Sequence, residues 1–342
     1  MKNNSRILLI YTGGTIGMMR EMKTGVLIPF NFSELLQKIP EMQQIRCHID
    51  TISFEKPIDS SNMDVDQWYK VGDIIYENYK EYDGFVVLHG SDTMSYTASA
   101  LSFMFENLAK PVIFTGSQLP IGDLRTDAKE NLITAVQIAS LQKNNKSVIQ
   151  EVGLYFEYKL LRANRTTKVN AEHFQAFQSY NYPVLIESGV HLKINHSILW
   201  KPNSKDTLKY HKDLETNIAV IKLFPGINKE IMTAMLSAPS LKGIIVETYG
   251  SGNATTAAWF LELIAQQIQK EVPVINITQC LGGEVKMGNY ETSMGLKNIG
   301  VISGKDMTTE AAIAKLMYLL KKNLPYNLFK TTYETSLRGE MS

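Results

Sequence analysis

Ile7-Leu8-Leu9-Ile10-Tyr11-Thr12-Gly13-Gly14-Thr15-Ile16-Gly17 is the stretch from which the rest of the chain can be read. Its first four residues form an apolar run without polar alternation, which suits a strand buried on both faces, as in a parallel sheet. The run breaks on paired glycines, whose missing Cβ permits backbone conformations closed to other residues. Ligands of open parallel sheets bind beyond the carboxyl ends of the strands. A hydroxyl there, such as that of Thr15, is placed to act as a nucleophile or a ligand clamp. A plain β-to-α connection capped by threonine would read the same way.

The pattern repeats outward from this turn. Apolar strands at 85–88, 111–114, 244–246 and 274–277 end in His89-Gly90-Ser91-Asp92-Thr93, Thr115-Gly116-Ser117-Gln118, Thr248-Tyr249-Gly250-Ser251-Gly252-Asn253 and Thr278-Gln279-Cys280. With the opening turn, that makes five strand ends rich in glycine or hydroxyls, which points to a polar pocket along the edge of the sheet. Further strands are expected at 45–52, 152–156 and from 218. Helices are expected at 32–39, 64–79, 96–108, 128–141, 229–236, 255–268 and 308–322, the last capped by Thr308, with a polar excursion over 18–29. Alternating strands and helices imply right-handed βαβ units, hence an α/β fold with a mostly parallel sheet in each of two domains. The boundaries expected are 1–190 for the first domain, 191–217 for a connection rich in Pro, Asn, Lys and Asp, and 218–342 for the second.

At 342 residues, 44% hydrophobic and 20% charged, the composition is that of an ordinary globular protein. A net charge of +1 gives no support to a nucleic-acid or membrane-surface role. No apolar run approaches membrane-spanning length, and the first strand begins too early to leave room for a leader, so a cytoplasmic protein is expected. The six histidines and two cysteines, Cys47 and Cys280, show no metal-ligand spacing, so no metal is expected. Cys280 reads as a buried structural thiol. The glycine-rich turns fit neither a P-loop nor a dinucleotide fingerprint, so nucleotide binding is not expected, and no cofactor is. Hydroxyl chemistry remains. Asp92 stands beside Ser91, and Lys168 sits in a polar run, so a lysine could manage a proton through Ser91.

Three segments together resemble the L-asparaginase family of threonine amidohydrolases, in its cytoplasmic type I branch. They are the opening turn Tyr11 to Gly17, His89-Gly90-Ser91-Asp92-Thr93-Met94-Ser95-Tyr96 and Asn164-Arg165-Thr166-Thr167-Lys168. Asp59-Ser60-Ser61, the 111–118 segment, Tyr249 to Asn253, Thr278-Gln279-Cys280 and Leu337-Arg338-Gly339-Glu340 extend the similarity nearly end to end. The resemblance implies a flavodoxin-like first domain, a smaller α/β second domain and cofactor-free hydrolysis of L-asparagine through an acyl-enzyme. Thr15 would be the nucleophile, with Ser91, Asp92 and Lys168 as the proton-managing group. Gly14, Asp59, Ser60, Ser61, Gly90, Ser117 and Asn253 would join Ser91 and Asp92 around the substrate. Asn253 would reach the site of a neighbouring subunit in an intimate dimer, usually paired into a tetramer. Thr167 and Cys280 match parts of an allosteric asparagine site found in some members, whereas Glu247 stands where an arginine would hold the effector's carboxylate. Ser91 replaces a common threonine, and residues 21–28 lack the tyrosine that often assists the nucleophile. The rival readings are the asparaginase-like subunit of a tRNA-dependent amidotransferase, which carries an extra N-terminal domain, and a non-catalytic amino-acid-binding protein.

Overall fold

Strand β1 (Ser5–Gly13) is the centre of the first unit, and its side chains Ile7, Leu8, Leu9 and Ile10 are at most 1% exposed. A strand covered on both faces is apolar along its covered length, as this one is over residues 7–10. The computed structural model describes residues 5–20, 27–29, 39–203, 206–288 and 290–342. They fall into two compact units, Met1–Lys212 and Asp213–Ser342.

In the first unit, β1 pairs in parallel with β2 (Cys47–Ile58) on one side and β3 (Gly84–Leu88) on the other. β4 (Val112–Thr115) and β5 (Val152–Phe156) continue the parallel sheet. β6 (Lys159–Arg162), β7 (Ile186–Glu187) and β8 (Lys193–Ile194) then extend it antiparallel, giving the order β8-β7-β6-β5-β4-β3-β1-β2. Three helices of this unit are α1 (Val65–Glu77), α2 (Met94–Met104) and α3 (Ala128–Ala139). Asp64 and Gln67 form a reciprocal capping box at the start of α1. The second unit carries a parallel four-stranded sheet, in the order β9 (Ile218–Lys222), β10 (Gly243–Thr248), β11 (Val274–Thr278) and β12 (Ile302–Ser303). With it go α4 (Lys229–Leu236), α5 (Ala258–Gln269) and α6 (Thr309–Leu320), which Thr308 caps by accepting from the Ala311 amide. The α/β class and the predominance of parallel pairing agree with the expectation.

Four departures stand out, two of them with a clear physical reason. β2 runs six residues past the expected end, because its register follows β1 from Ser5↔Cys47 to Tyr11↔Ser53 and resumes after a bulge at Gly13↔Ile58. Gly13 permits that approach, since its φ of +138° and the neighbouring Ile58 carbonyl leave no room for a Cβ. α2 stops at Met104 instead of 108, where Phe105–Glu106 turns extended to pair with Lys209–Tyr210 and Phe105 stacks on Tyr210 at 5.1 Å. The helix is buried on nearly every side, with small hydroxyl residues spread among the apolar ones, so periodicity carried no mark of that end. α5 begins at Ala258, not 255. The flanks of the 18–29 excursion, Met18–Arg20 and Leu27–Pro29, pair as an antiparallel ribbon. Residues 21–26 and nearly all of the expected 32–39 helix lie outside the described residues.

Candidate active site

The carboxyl ends of β1, β2 and β3 bring three turns into contact. Gly14, with a φ of +84°, passes so close to Gly90 that a Cβ on it would lie 2.5 Å from the Gly90 Cα. Ser60 presses on Gly90 from the other side, and a Cβ on Gly90 would lie 2.5 Å from the Ser60 hydroxyl. The Gly14 and Gly90 backbones therefore touch where ordinary side chains would hold them apart, and the Ser60 side chain packs on Gly90. Thr12, fully buried, ties the β1 end to β3 by donating its hydroxyl to the Leu88 carbonyl at 2.9 Å. Thr93 ties the β3 turn to the β2 turn by donating to the Ser60 carbonyl at 2.7 Å.

The expected residues take distinct places in this frame. Thr15 opens a single 3-10 turn just after Gly14, with its side chain half-buried. Asp59 caps the 3-10 turn Ser60–Asn62 and accepts from both the Ser61 amide and the Ser61 hydroxyl at 2.9 Å. Those two hydrogen bonds hold its carboxyl below the usual range. Ser60 is buried under Gly90, while Ser61 is exposed. Ser117 is buried and donates to the Leu119 carbonyl at 2.6 Å, closing its own turn.

The centre of the arrangement is Lys168. Its ammonium lies 2.9 Å from the Ser91 hydroxyl and 2.6 Å from the Asp92 carboxylate. The lysine is brought there from a separate strand, Thr167–Lys168, which pairs antiparallel with Phe177–Gln178. Only 16% of its side chain is exposed, against 62% for Asp92, so the cation sits inward and the carboxylate faces out. Ser91, Asp92 and Lys168 are thus one chain of contacts, as their residue types led us to expect.

Two residues to which sequence reading assigned no role support this chain. Gln118 accepts from the Ser91 hydroxyl at 3.4 Å and donates its amide to the Ala171 and His173 carbonyls at 3.2 and 3.0 Å. It thereby links the β4 turn to the segment that follows Lys168. His89, 0% exposed, places one ring nitrogen 2.7 Å from the Gly90 carbonyl and the other 2.9 Å from the Thr97 hydroxyl. The carbonyl can only accept, so Nδ1 carries the proton and Nε2 accepts from Thr97. Burial lowers the imidazole to about 4 and keeps it neutral. A histidine directly between a buried strand and a glycine was the available signal.

Asn253, Glu247 and Cys280 belong to the second unit. Asn253 bridges to Tyr249 and accepts from the Thr292 hydroxyl at 3.0 Å. Glu247 accepts from the Thr309 hydroxyl at 2.6 Å, with Lys222 3.9 Å from its other oxygen. Cys280 is exposed, not buried, because it lies past the end of β11 in a turn that Thr278 fastens through the Cys280 amide. Thr167 is half-buried and pairs with Gln178. The five polar strand ends therefore do not line one edge. Three belong to the first sheet and two to the second. No group of three or more His, Cys, Asp or Glu side chains capable of holding a metal occurs among the described residues. None of their helices is long and apolar enough to cross a membrane.

The profile of the asparaginase N-terminal domain matches residues 6–200, and that of the glutaminase/asparaginase C-terminal domain matches residues 217–331. L-asparaginase 1 of Escherichia coli K12 is 40% identical over 337 residues, covering 98% of each chain. The 60 kDa lysophospholipase of Mus musculus is 39% identical over 361 residues, covering 98% of this chain and 62% of that protein. The crystal structure of L-asparaginase I from Vibrio cholerae superposes with a TM-score of 0.90 at 41% identity, over 99% of each chain. The chain belongs to the asparaginase family.

Proposed function

We propose that the protein hydrolyses L-asparagine to L-aspartate and ammonia, with Thr15 as the nucleophile. The observation that carries this reading is the Lys168 ammonium bridging Ser91 and Asp92, on a turn in backbone contact with the Thr15 turn. Asp92, largely exposed, pairs with the substrate's α-ammonium, and the Asp59-Ser60-Ser61 turn receives its α-carboxylate. Fixing both charged groups of a small zwitterion leaves its side-chain amide one position, over Thr15. The Thr15 oxygen attacks the amide carbon, and the hydroxyl proton passes through Ser91 to Lys168, which must first have shed its own proton. Backbone N–H groups of the Gly14–Thr15 and Gly90–Ser91 turns stabilise the oxyanion. The C–N bond then breaks, ammonia leaves with the returned proton, and water attacks the threonyl ester to release aspartate. For water to be activated through Ser91, Lys168 must reach its neutral form, and Asp92 is the neighbour that can relay the proton outward.

The Asn253 side chain completes the site from a second copy of the chain, so the working form is a homodimer or a dimer of dimers in the cytoplasm. No cofactor enters this scheme. Ammonia release from L-asparagine, L-glutamine and D-asparagine, measured beside Thr15→Ala, tests the scheme. Turnover of L-asparagine that disappears in a folded Thr15→Ala variant is the expected result. No release from the folded wild-type oligomer would overturn it.

A further inference from the structure

A cavity of about 500 Å3 lies at the amino ends of the first unit's strands, in the range usual for small-molecule sites. Lys143, Lys146, His196, Trp200 and Lys201 line it, and no Asp or Glu is among its described lining residues. It is remote from the carboxyl ends where the reaction is placed. Ser147, on its wall, donates to the carbonyl of Asp83, immediately before β3, whereas His89 and Ser91 follow β3.

Three observations bear on what it would take. First, Lys143 and Lys146 stand directly opposite each other in a short antiparallel pair, Gln142–Lys143 with Lys146–Ser147. The turn between them is Asn144–Asn145, with φ of +53° and +58°, the two-residue geometry that fixes such a pairing. Like charges facing one another across a strand pair disfavour it, and a bound anion removes the conflict. Second, none of Lys143, Lys146 and Lys201 has an ion-pair partner among the described residues, and no carboxylate among the cavity's described lining residues stands ready to neutralise them. Third, Trp200 is anchored before any ligand arrives. Its amide donates to Glu151 at 2.8 Å. The Arg162 guanidinium, itself paired with Glu151 at 2.6 Å, lies 5.9 Å from the indole centroid. The backbone of Trp200 is thus fixed, and its half-buried ring lies beside Arg162 on a cavity wall that also carries three lysines.

We propose that this cavity binds a planar ring carrying phosphate, a ligand of the nucleotide class. The ring stacks on Trp200, and the phosphates sit among Lys143, Lys146 and Lys201. The site uses no glycine-rich phosphate loop. Its chemistry is a lysine pair held in opposition and one aromatic face. It is independent of the hydrolytic reading, since none of its residues is assigned to the reaction.

Calorimetric titration of the full-length protein with ADP, inorganic pyrophosphate and adenosine tests the proposal, on wild type, K143E/K146E and Trp200→Leu. Wild type is expected to bind ADP about tenfold or more tightly than pyrophosphate and to show no heat with adenosine. K143E/K146E, on an exposed hairpin, should lose at least about tenfold in ADP affinity, with amide turnover unchanged. Trp200→Leu should bring ADP down to the affinity of pyrophosphate. Raised salt should weaken every phosphate arm. No ADP binding by folded wild type, or binding indifferent to the double reversal, overturns the proposal. Equal affinity for ADP and pyrophosphate would leave a plain anion patch and overturn it as well, as would a single-stranded oligonucleotide that outcompetes ADP.

Discussion

Two sets of strand-end turns, nearly alike in sequence, are put to opposite use. In the first unit, the turn after β3 holds Lys168 between the Ser91 hydroxyl and the outward-facing Asp92 carboxylate, and the turn after β4 supports it through Gln118. In the second, the turns after β10 and β11 consume their own polar groups. Thr248 donates to Asn276 at 2.6 Å, Thr278 to the Gly250 carbonyl at 2.5 Å, and Gln279 to the Leu223 and Glu247 carbonyls at 2.7 and 2.8 Å. Glycine and hydroxyls at a strand end thus do not by themselves make a reactive site. An imported charge does, because it leaves a group whose needs are met only when something else binds.

The strongest way to break this comparison is to take the charge out. Lys168→Met keeps the length of the side chain and deletes the ammonium. kcat for L-asparagine is expected to fall by about 10²–10⁴-fold, the contribution typical of a positioned proton carrier. Circular dichroism and the elution volume should stay those of wild type. If the variant retains more than about a tenth of wild-type kcat, the lysine is structural and the two sets of turns are equivalent after all.

His89 offers a second contrast, because the hydrogen bonds of the second unit's turns cited above join only neutral groups without titration near pH 5. The folded imidazole titrates at about 4, below the ordinary value of 6.5. As pH falls through that window the unfolded chain takes up the proton first, so the folded state loses stability. The neutral histidine's contribution is whole above about 6.5 and is lost progressively toward 4, amounting to something on the order of 3 kcal/mol. Urea unfolding of wild type and His89→Gln at several pH values between these limits measures it. The wild-type slope should be steeper than the variant's by up to about 1.4 kcal/mol per pH unit. Identical slopes would mean that the buried ring opens to solvent before the fold does.

Much of this was legible before any coordinates. Ile7 to Ile10 shows a doubly buried strand by composition alone, and Thr308 with Glu310 announces the start of α6. Ser91, Asp92 and Lys168 could be linked only in combination, since Lys168 taken alone reads as a surface lysine in a polar run. What stayed hidden is what depends on which sheet a turn joins. Thr248 and Ser91 sit in similar local sequence, and only topology separates them. The end of α2 was hidden too, since Phe105 is apolar whether it continues the helix or pairs with Tyr210. Cys280 was misjudged because a thiol without a visible activating partner reads as structural, whereas its exposure comes from its place two residues past the end of β11 at Thr278. His89 was read as a turn residue because its value lies in two contacts, Gly90 and Thr97, that need the folded backbone to exist.

The smallest expected effect is the most direct check on the second set of turns. The Thr248 hydroxyl is fully buried, donating to Asn276 and, at 3.2 Å, toward the Ile277 carbonyl. Thr248→Val keeps the shape and leaves the Asn276 side-chain oxygen without its donor. A buried acceptor left unsatisfied costs about 1–3 kcal/mol, so the variant should unfold at lower urea with an unchanged slope. Its kcat and KM, per folded molecule, should remain those of wild type, because the group supports only its own sheet. A drop in kcat without a drop in stability would place Thr248 in a functional network and erase the distinction between self-satisfied and charge-bearing turns. Loss of stability with catalysis intact would instead show that the same glycine and hydroxyl pattern serves as a fastening wherever no charge is brought in.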